Sequence, residues 1–164
     1  MPFAPINGIN LYYESHGEGP AVVFAHGAGG NHLSWWQQVP FFSQRFRCIT
    51  FDHRAFGRSR DGIDDARLGR RAFHDDLRDL LDHLGVAEAR VVAQSMGGRT
   101  AVGFALRNPG RCKGIVFAGT TGGAIDDSVR ELQDAHRETA TGRLPLPKRA
   151  ASPELKERAA HADF

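Results

Sequence analysis

The stretch Val91-Val92-Ala93-Gln94-Ser95-Met96-Gly97-Gly98 decides the architecture. Its first three residues, with Arg90 before them, form a short apolar run of the kind that becomes a strand covered on both faces. From Met96 the pattern changes to a helix running to Asn108, whose small residues Gly97, Gly98, Ala101 and Gly103 allow close approach to a sheet and which Asn108-Pro109-Gly110 ends. A buried strand therefore passes straight into a helix, with one serine at the turn.

Working outward, the same alternation repeats. Ala21–Ala25 (AVVFA), Arg47–Phe51 (RCITF) and Gly114–Ala118 (GIVFA) are further short apolar runs, each followed by a polar or glycine-rich loop. Phe73, Leu77, Leu80, Leu81 and Leu84 form a helical stripe that Gly85 stops. Asn7-Gly8 between Phe3–Ile6 and Ile9–Glu14 signals a tight hairpin, so the chain opens with two antiparallel strands. Strand and helix then alternate, which predicts an α/β domain with a mostly parallel, doubly wound sheet. Ligands in such sheets bind beyond the carboxyl ends of the strands.

After Gly119–Gly123 the composition shifts. Residues 126–137 form a charged amphipathic stretch, 142–147 are turn-rich, and 153–162 read as a second short polar helix. The expected division is a core over residues 1–123 and a helical lid or cap region beginning at 124–164.

The 164 residues carry 21 Lys+Arg against 19 Asp+Glu, a formal charge of +2. That balance argues against a dedicated nucleic-acid or anionic-membrane binder. With 41% apolar and 24% charged residues the chain has the composition of a soluble globular domain. No run reaches the roughly eighteen apolar residues of a membrane helix, and the start MPFAPING lacks a signal-peptide pattern. A cytoplasmic location is the expectation. Cys48 and Cys112, one in a predicted strand and one in a predicted loop, are too few for a disulfide framework and stand at no ligand spacing, so they read as reduced and structural and no metal site is expected.

The chemistry concentrates at two turns. A serine thrust out between strand and helix needs small neighbours two residues to either side, and Ala93 and Gly97 supply them. Ser95 is then a candidate nucleophile, and the Met96 amide, at the start of a helix whose dipole favours negative charge, points toward the same space. The loop His26-Gly27-Ala28-Gly29-Gly30 follows the strand Ala21–Ala25 and offers backbone amides for the other half of an oxyanion hole, Ala28 first and Gly29 second. HGAGG does not continue into Gly-Lys-Ser or Gly-Lys-Thr, which excludes a phosphate loop. His26 reads as a hydrogen-bonded loop former. His32, His53, His74 and His83 read as surface or satisfied structural residues, and Trp35 and Trp36 as packing the first helix. Asp52 and Arg54 read as a solvated or mutually paired loop couple.

HGAGG after one strand, FDHRAFGRS (51–59) after the next and AQSMGG (93–98) after a third, in this order, resemble the α/β-hydrolase superfamily in its esterase, lactonase and cofactor-free haloperoxidase-like branch. The resemblance covers about residues 1–123. It implies the α/β-hydrolase fold, with Ser95 as nucleophile and Met96 and Ala28 as oxyanion donors. It also makes Asp52, Arg54 and Gly57 residues that shape the loop beside the site. The implied reaction is hydrolysis of a small-molecule carboxylic ester or lactone through an acyl-enzyme, for which no cofactor or metal is expected.

Ala55 stands where the family's loop usually has glycine, at a cost of about 1 kcal/mol if φ must be positive there. Ala93 is a familiar variant of the elbow. The larger departure is that the family's acid and histidine lie on loops after further strands, and no such strands are predicted after the sixth. The chain reads as the front portion of a hydrolase, lacking two strand-plus-helix units of about 30 residues each. His136 and His161 are the only histidines after the elbow, and neither follows a strand. The competing expectation is a truncated, non-catalytic fragment serving as a binding or interaction module, with an open sheet edge suited to self-association.

Overall fold

A computed structural model describes residues 2–59 and 71–139. It divides into two compact units, Met1–Gly123 and Ala124–Phe164. The first contains six strands, β1 (Phe3–Ile6), β2 (Ile9–His16), β3 (Ala21–Ala25), β4 (Arg47–Phe51), β5 (Ala89–Gln94) and β6 (Cys112–Ala118). Its helices are α1 (Gln38–Phe42), α2 (Phe73–His83) and α3 (Gly97–Arg107), with a 3₁₀ turn at His32–Trp35. In the second unit, α4 (Asp127–Glu138) starts at Asp126, whose carboxylate accepts the Val129 amide at 2.9 Å.

The strands form one sheet in the order β1-β2-β4-β3-β5-β6. The β1–β2 and β2–β4 pairs are antiparallel, and the other three are parallel. At the first hairpin Asn7 and Gly8 both have positive φ, 45° and 75°, and Ile6 pairs with Ile9. Two positive values in succession are what a type I′ turn requires, and asparagine followed by glycine accommodates them with least strain.

Alternate residues of the central strands serve two cores. Val23, Ile49, Phe51, Val91 and Ala93 join Leu77, Leu80, Leu81, Ala101 and Phe104 of α2 and α3 on one face. Val22, Phe24 and Cys48 join Trp35 on the other. A strand buried on both faces has no polar side to show, which explains runs such as AVVFA. Trp35 is buried with its ring 5.3 Å from Phe24, whereas Trp36 is exposed, so only one of the two packs as expected. Cys112, predicted in a loop, begins β6. The β5–β6 register slips between Ala89 and Arg90, leaving Lys113 as an extra residue opposite β5.

The order of pairing reverses direction at β3. From β3 the chain crosses to β4 on one side, then returns past β3 to β5 on the other. The loops leaving β3 and β5 therefore diverge, and the gap between the carboxyl ends of these two adjacent strands is a topological switch point. Gly97, at the start of α3, lies against the Ala25 backbone at the end of β3. A Cβ at Gly97 would collide with the Ala25 carbonyl and stand 3.0 Å from the Ala25 Cβ. Gly97→Ala should therefore destabilise the domain by about 1–3 kcal/mol. Gly114→Ala, with open space around it, should change stability by no more than about 0.5 kcal/mol. Urea-unfolding midpoints of the two variants check the contrast.

Candidate active site

Ser95 occupies the turn between β5 and α3 with φ +47° and is exposed to solvent. A left-handed conformation costs a non-glycine residue about 1–2 kcal/mol and persists only where the surroundings enforce it. Here they do. The Ser95 amide donates to the Ala118 carbonyl at the end of β6 (3.1 Å), and the Gly98 amide donates back to the Ser95 carbonyl (3.0 Å). Gly97 is held against Ala25, and a Cβ at Gly98 would stand 3.0 Å from the Cα of Gly122. Met96 is buried with helical dihedrals just ahead of α3, so its amide lies at the end of a helix where N–H groups have no intrahelical acceptor.

The HGAGG loop runs directly past this turn. A Cβ at Gly27 would stand 3.2 Å from the Ser95 Cβ and 3.5 Å from the Gln94 carbonyl oxygen. Gly27 is buried, whereas Ala28 and Gly29 are exposed, and Gly29 has φ +88°. The Gly30 amide closes the turn on the Gly27 carbonyl at 3.0 Å. The fold thus brings Ser95, Met96 and the Ala28–Gly29 segment to one end of the sheet, on the two strands that flank the switch point.

Behind the loop lies a buried polar layer. Nε2 of His26 accepts the His53 amide at 3.0 Å, which leaves the proton on Nδ1 to donate to the Gly27 carbonyl at 2.8 Å. His26 is fully buried, a loop former with both ring nitrogens engaged. His53 packs edge-on against it, 4.4 Å between rings, and meets Thr100 Oγ1 through Nε2 at 2.9 Å. Nδ1 of His53 has no partner among the described residues, so this residue is not the satisfied side chain expected. Burial lowers the pKa of His26, and burial followed by the neighbouring His26 lowers that of His53 further.

Asp52 and Arg54 are neither solvated nor paired with each other. Asp52 is fully buried and accepts the amides of His32 (2.6 Å) and Arg58 (2.7 Å), with His32 Nδ1 at 2.8 Å. A Cβ on Gly57 would overlap its carboxylate. Arg54, also buried, makes a bidentate pair with Asp76 of α2 at 2.8 and 3.0 Å and donates to the Asn7 carbonyl at 3.0 Å. The loop-shaping role expected of these three residues therefore runs through partners that sequence separation hides: 20 residues for His32 and 22 for Asp76. Ala55 has φ +67°, so the strain anticipated for a residue lacking glycine's freedom is present.

Among the described residues, no hydrogen bond reaches the Ser95 hydroxyl, and no group of three His, Cys, Asp or Glu side chains is placed to hold a metal ion. His136 lies on α4 in the second unit, and His161 falls outside the described residues, as does the predicted helix at 153–162. No described helix is long and apolar enough to cross a membrane.

A family model described as the alpha/beta hydrolase fold matches residues 20–150. RutD of Caulobacter sp. (strain K31), provisionally described as a carbamate hydrolase, is 37% identical over 111 residues, spanning 65% of this chain and 41% of RutD. The 3-oxoadipate enol-lactonase 2 of Acinetobacter baylyi (strain ATCC 33305 / BD413 / ADP1) is 28% identical over 166 residues, spanning 93% of this chain and 61% of the lactonase. Among solved structures, Est816, described as an N-acyl homoserine lactone degrading enzyme, superposes with a TM-score of 0.72 at 29% identity, covering 98% of this chain and 61% of Est816. The chain spans 41–61% of the length of these relatives.

The buried imidazoles set a pH dependence. An unfolded histidine titrates near pH 6.5, while His26 and His53 resist protonation when folded. Below about pH 6.5 the unfolded chain therefore binds protons that the folded chain does not. Stability should fall on acidification, by up to about 1.4 kcal/mol per pH unit for each histidine. Urea unfolding at pH 7.5 and 5.5 measures this, and equal midpoints would contradict neutral buried rings.

Proposed function

The chain belongs to the α/β-hydrolase fold family, and on that premise we propose a serine hydrolase acting on a small-molecule carboxylic ester or lactone. The observation that supports this most is the Ser95 turn, with φ +47° and the HGAGG loop alongside. In this reading Ser95 Oγ attacks the carbonyl carbon. The developing oxyanion takes the amides of Met96 and of Ala28, with Gly29 as the second choice for the latter. Collapse of the tetrahedral species breaks the bond from the carbonyl carbon to the alkoxy oxygen, which takes up the proton that Ser95 gives up. An ester thereby loses its alcohol, a lactone opens with its hydroxyl still attached, and water hydrolyses the resulting acyl-enzyme. The description of one relative as an enol-lactonase and of another as an N-acyl homoserine lactone degrading enzyme supports an ester or lactone over other carbonyl substrates. Residues 124–164 would be the start of a helical lid or cap region.

A second reading is favoured by two observations. No described histidine makes a hydrogen bond to the Ser95 hydroxyl. On the edge strand β6, Val116 and Phe117 are 60% and 47% exposed. Under this reading the 164-residue chain alone is a binding or interaction module, and its open edge pairs with another strand or with a second copy.

The two readings differ in how Ser95 reacts. A serine without an adjacent base is a weak nucleophile, and loss of a triad member removes on the order of 10⁴ to 10⁶ in turnover. The isolated chain should hydrolyse p-nitrophenyl acetate only at trace level and react slowly with a fluorophosphonate probe. Peptide mass spectrometry should nevertheless locate the adduct on Ser95, and Ser95→Ala should abolish it. Equal labelling of the Ser95→Ala variant would remove the nucleophile assignment. Rapid turnover by the parent chain would show that a base is present, with His136 and His161 the residues to substitute.

A further inference from the structure

The segment Gly27–His32 is an arch held at both ends by two adjacent residues at the carboxyl end of β4. At the Gly27 end, the His53 amide fixes the His26 ring, and the ring holds the Gly27 carbonyl. At the other end, Asp52 Oδ1 accepts both the backbone amide and, at 2.8 Å, the Nδ1 of His32. Between these anchors the Gly30 amide closes on Gly27, while Asn31 caps the 3₁₀ turn by accepting the Leu33 amide at 2.9 Å.

The His32 ring is itself immobilised. It is 6% exposed, lies 4.6 Å from the Tyr12 ring, and points Nε2 toward Glu14 Oε1 at 3.6 Å. A buried carboxylate needs donors, and Asp52 obtains them from His32 and Arg58. The bond through Nδ1 is the one that a side chain supplies. It ties the distal end of the arch to β4, while the proximal end passes Ser95.

We propose that His32 is a positioning residue for this arch, with its Nδ1–H on Asp52 holding the Ala28–Gly29 amides beside Ser95. The requirement is for a donor at the Nδ1 position, not for the bulk of the ring. The catalytic meaning of the role rests on the oxyanion assignment above, but the restraint itself does not.

Asparagine places its amide nitrogen close to the position of Nδ1, whereas glutamine reaches toward that of Nε2 and leucine donates nothing. Amide hydrogen exchange on the whole chain is the readout, at Gly30, His32 and Ser34 of the arch with α3 as internal reference. His32→Leu and His32→Gln should raise exchange at these amides about tenfold, as expected for loss of a buried charge-assisted hydrogen bond. His32→Asn should stay within about threefold of the parent. Equal exchange in the Asn and Gln variants, or no change in any variant, would overturn the proposal. If the substitutions unfold the chain, the parent decides: long-range ¹H–¹⁵N spectra should show the His32 proton on Nδ1, and an unprotonated Nδ1 at neutral pH would overturn it. None of these readouts requires turnover, so a failed labelling of Ser95 and a failed restraint by His32 are separate results.

Discussion

The close approach of Gly97 to the carbonyl of Ala25 underlies the geometry at the carboxyl end of the sheet. It seats the first turn of α3 on the end of β3, although α3 follows β5. That seating leaves the chain between β5 and α3 too little length for an ordinary loop, and Ser95 absorbs the bend in a left-handed conformation. A larger residue at position 97 would lift the helix and relax the serine. The strain at Ser95 is sustained by neighbouring backbone, by the Ala118 carbonyl on one side and the Gly98 amide on the other.

The second constraint is polar. The dipeptide Asp52–His53 follows a strand whose last residues are fully buried, so its carboxylate and backbone amide enter the interior and require partners there. They find them in His32 and His26, at the two ends of the HGAGG arch. Arg54 then turns away to Asp76 and the first hairpin, which joins the loop after β4 to α2 and to Asn7. Three loops that are distant in sequence are held in a common register by hydrogen bonds whose loss would leave buried groups unsatisfied, a penalty of about 1–3 kcal/mol each. Ser95 and an amide-rich loop are thereby kept adjacent across the switch point.

These two constraints differed in how far they could be read from residues alone. The elbow was legible because its requirement is local: small residues two positions either side of Ser95, between an apolar run and a helical pattern. The hairpin was legible for the same reason, since Asn7-Gly8 states its own dihedrals. The strands Ala21–Ala25 and Arg47–Phe51 emerged with their full extent because burial on both faces demands an unbroken apolar run. β6 did not, since Cys112 and Lys113 precede the apolar part and pair only through a register slip that no local pattern announces. The polar layer was misread most. Asp52 and Arg54 are two residues apart and oppositely charged, which suggests a surface couple, yet each is buried with a partner 20 or more residues away. The involvement of His32 carries no signal in spacing at all, because its link to Asp52 exists only once β3 and β4 lie side by side.

We propose that Ser95, Met96 and the Ala28–Gly29 segment surround one point at which an oxyanion can sit. An experimental structure of the chain phosphonylated on Ser95 tests it most directly, because the phosphonyl oxygen stands where the substrate's oxyanion would form. That oxygen is expected about 2.7–3.1 Å from the Met96 amide and from the amide of Ala28 or Gly29. An oxygen directed into solvent, with neither amide within hydrogen-bond reach, would contradict it.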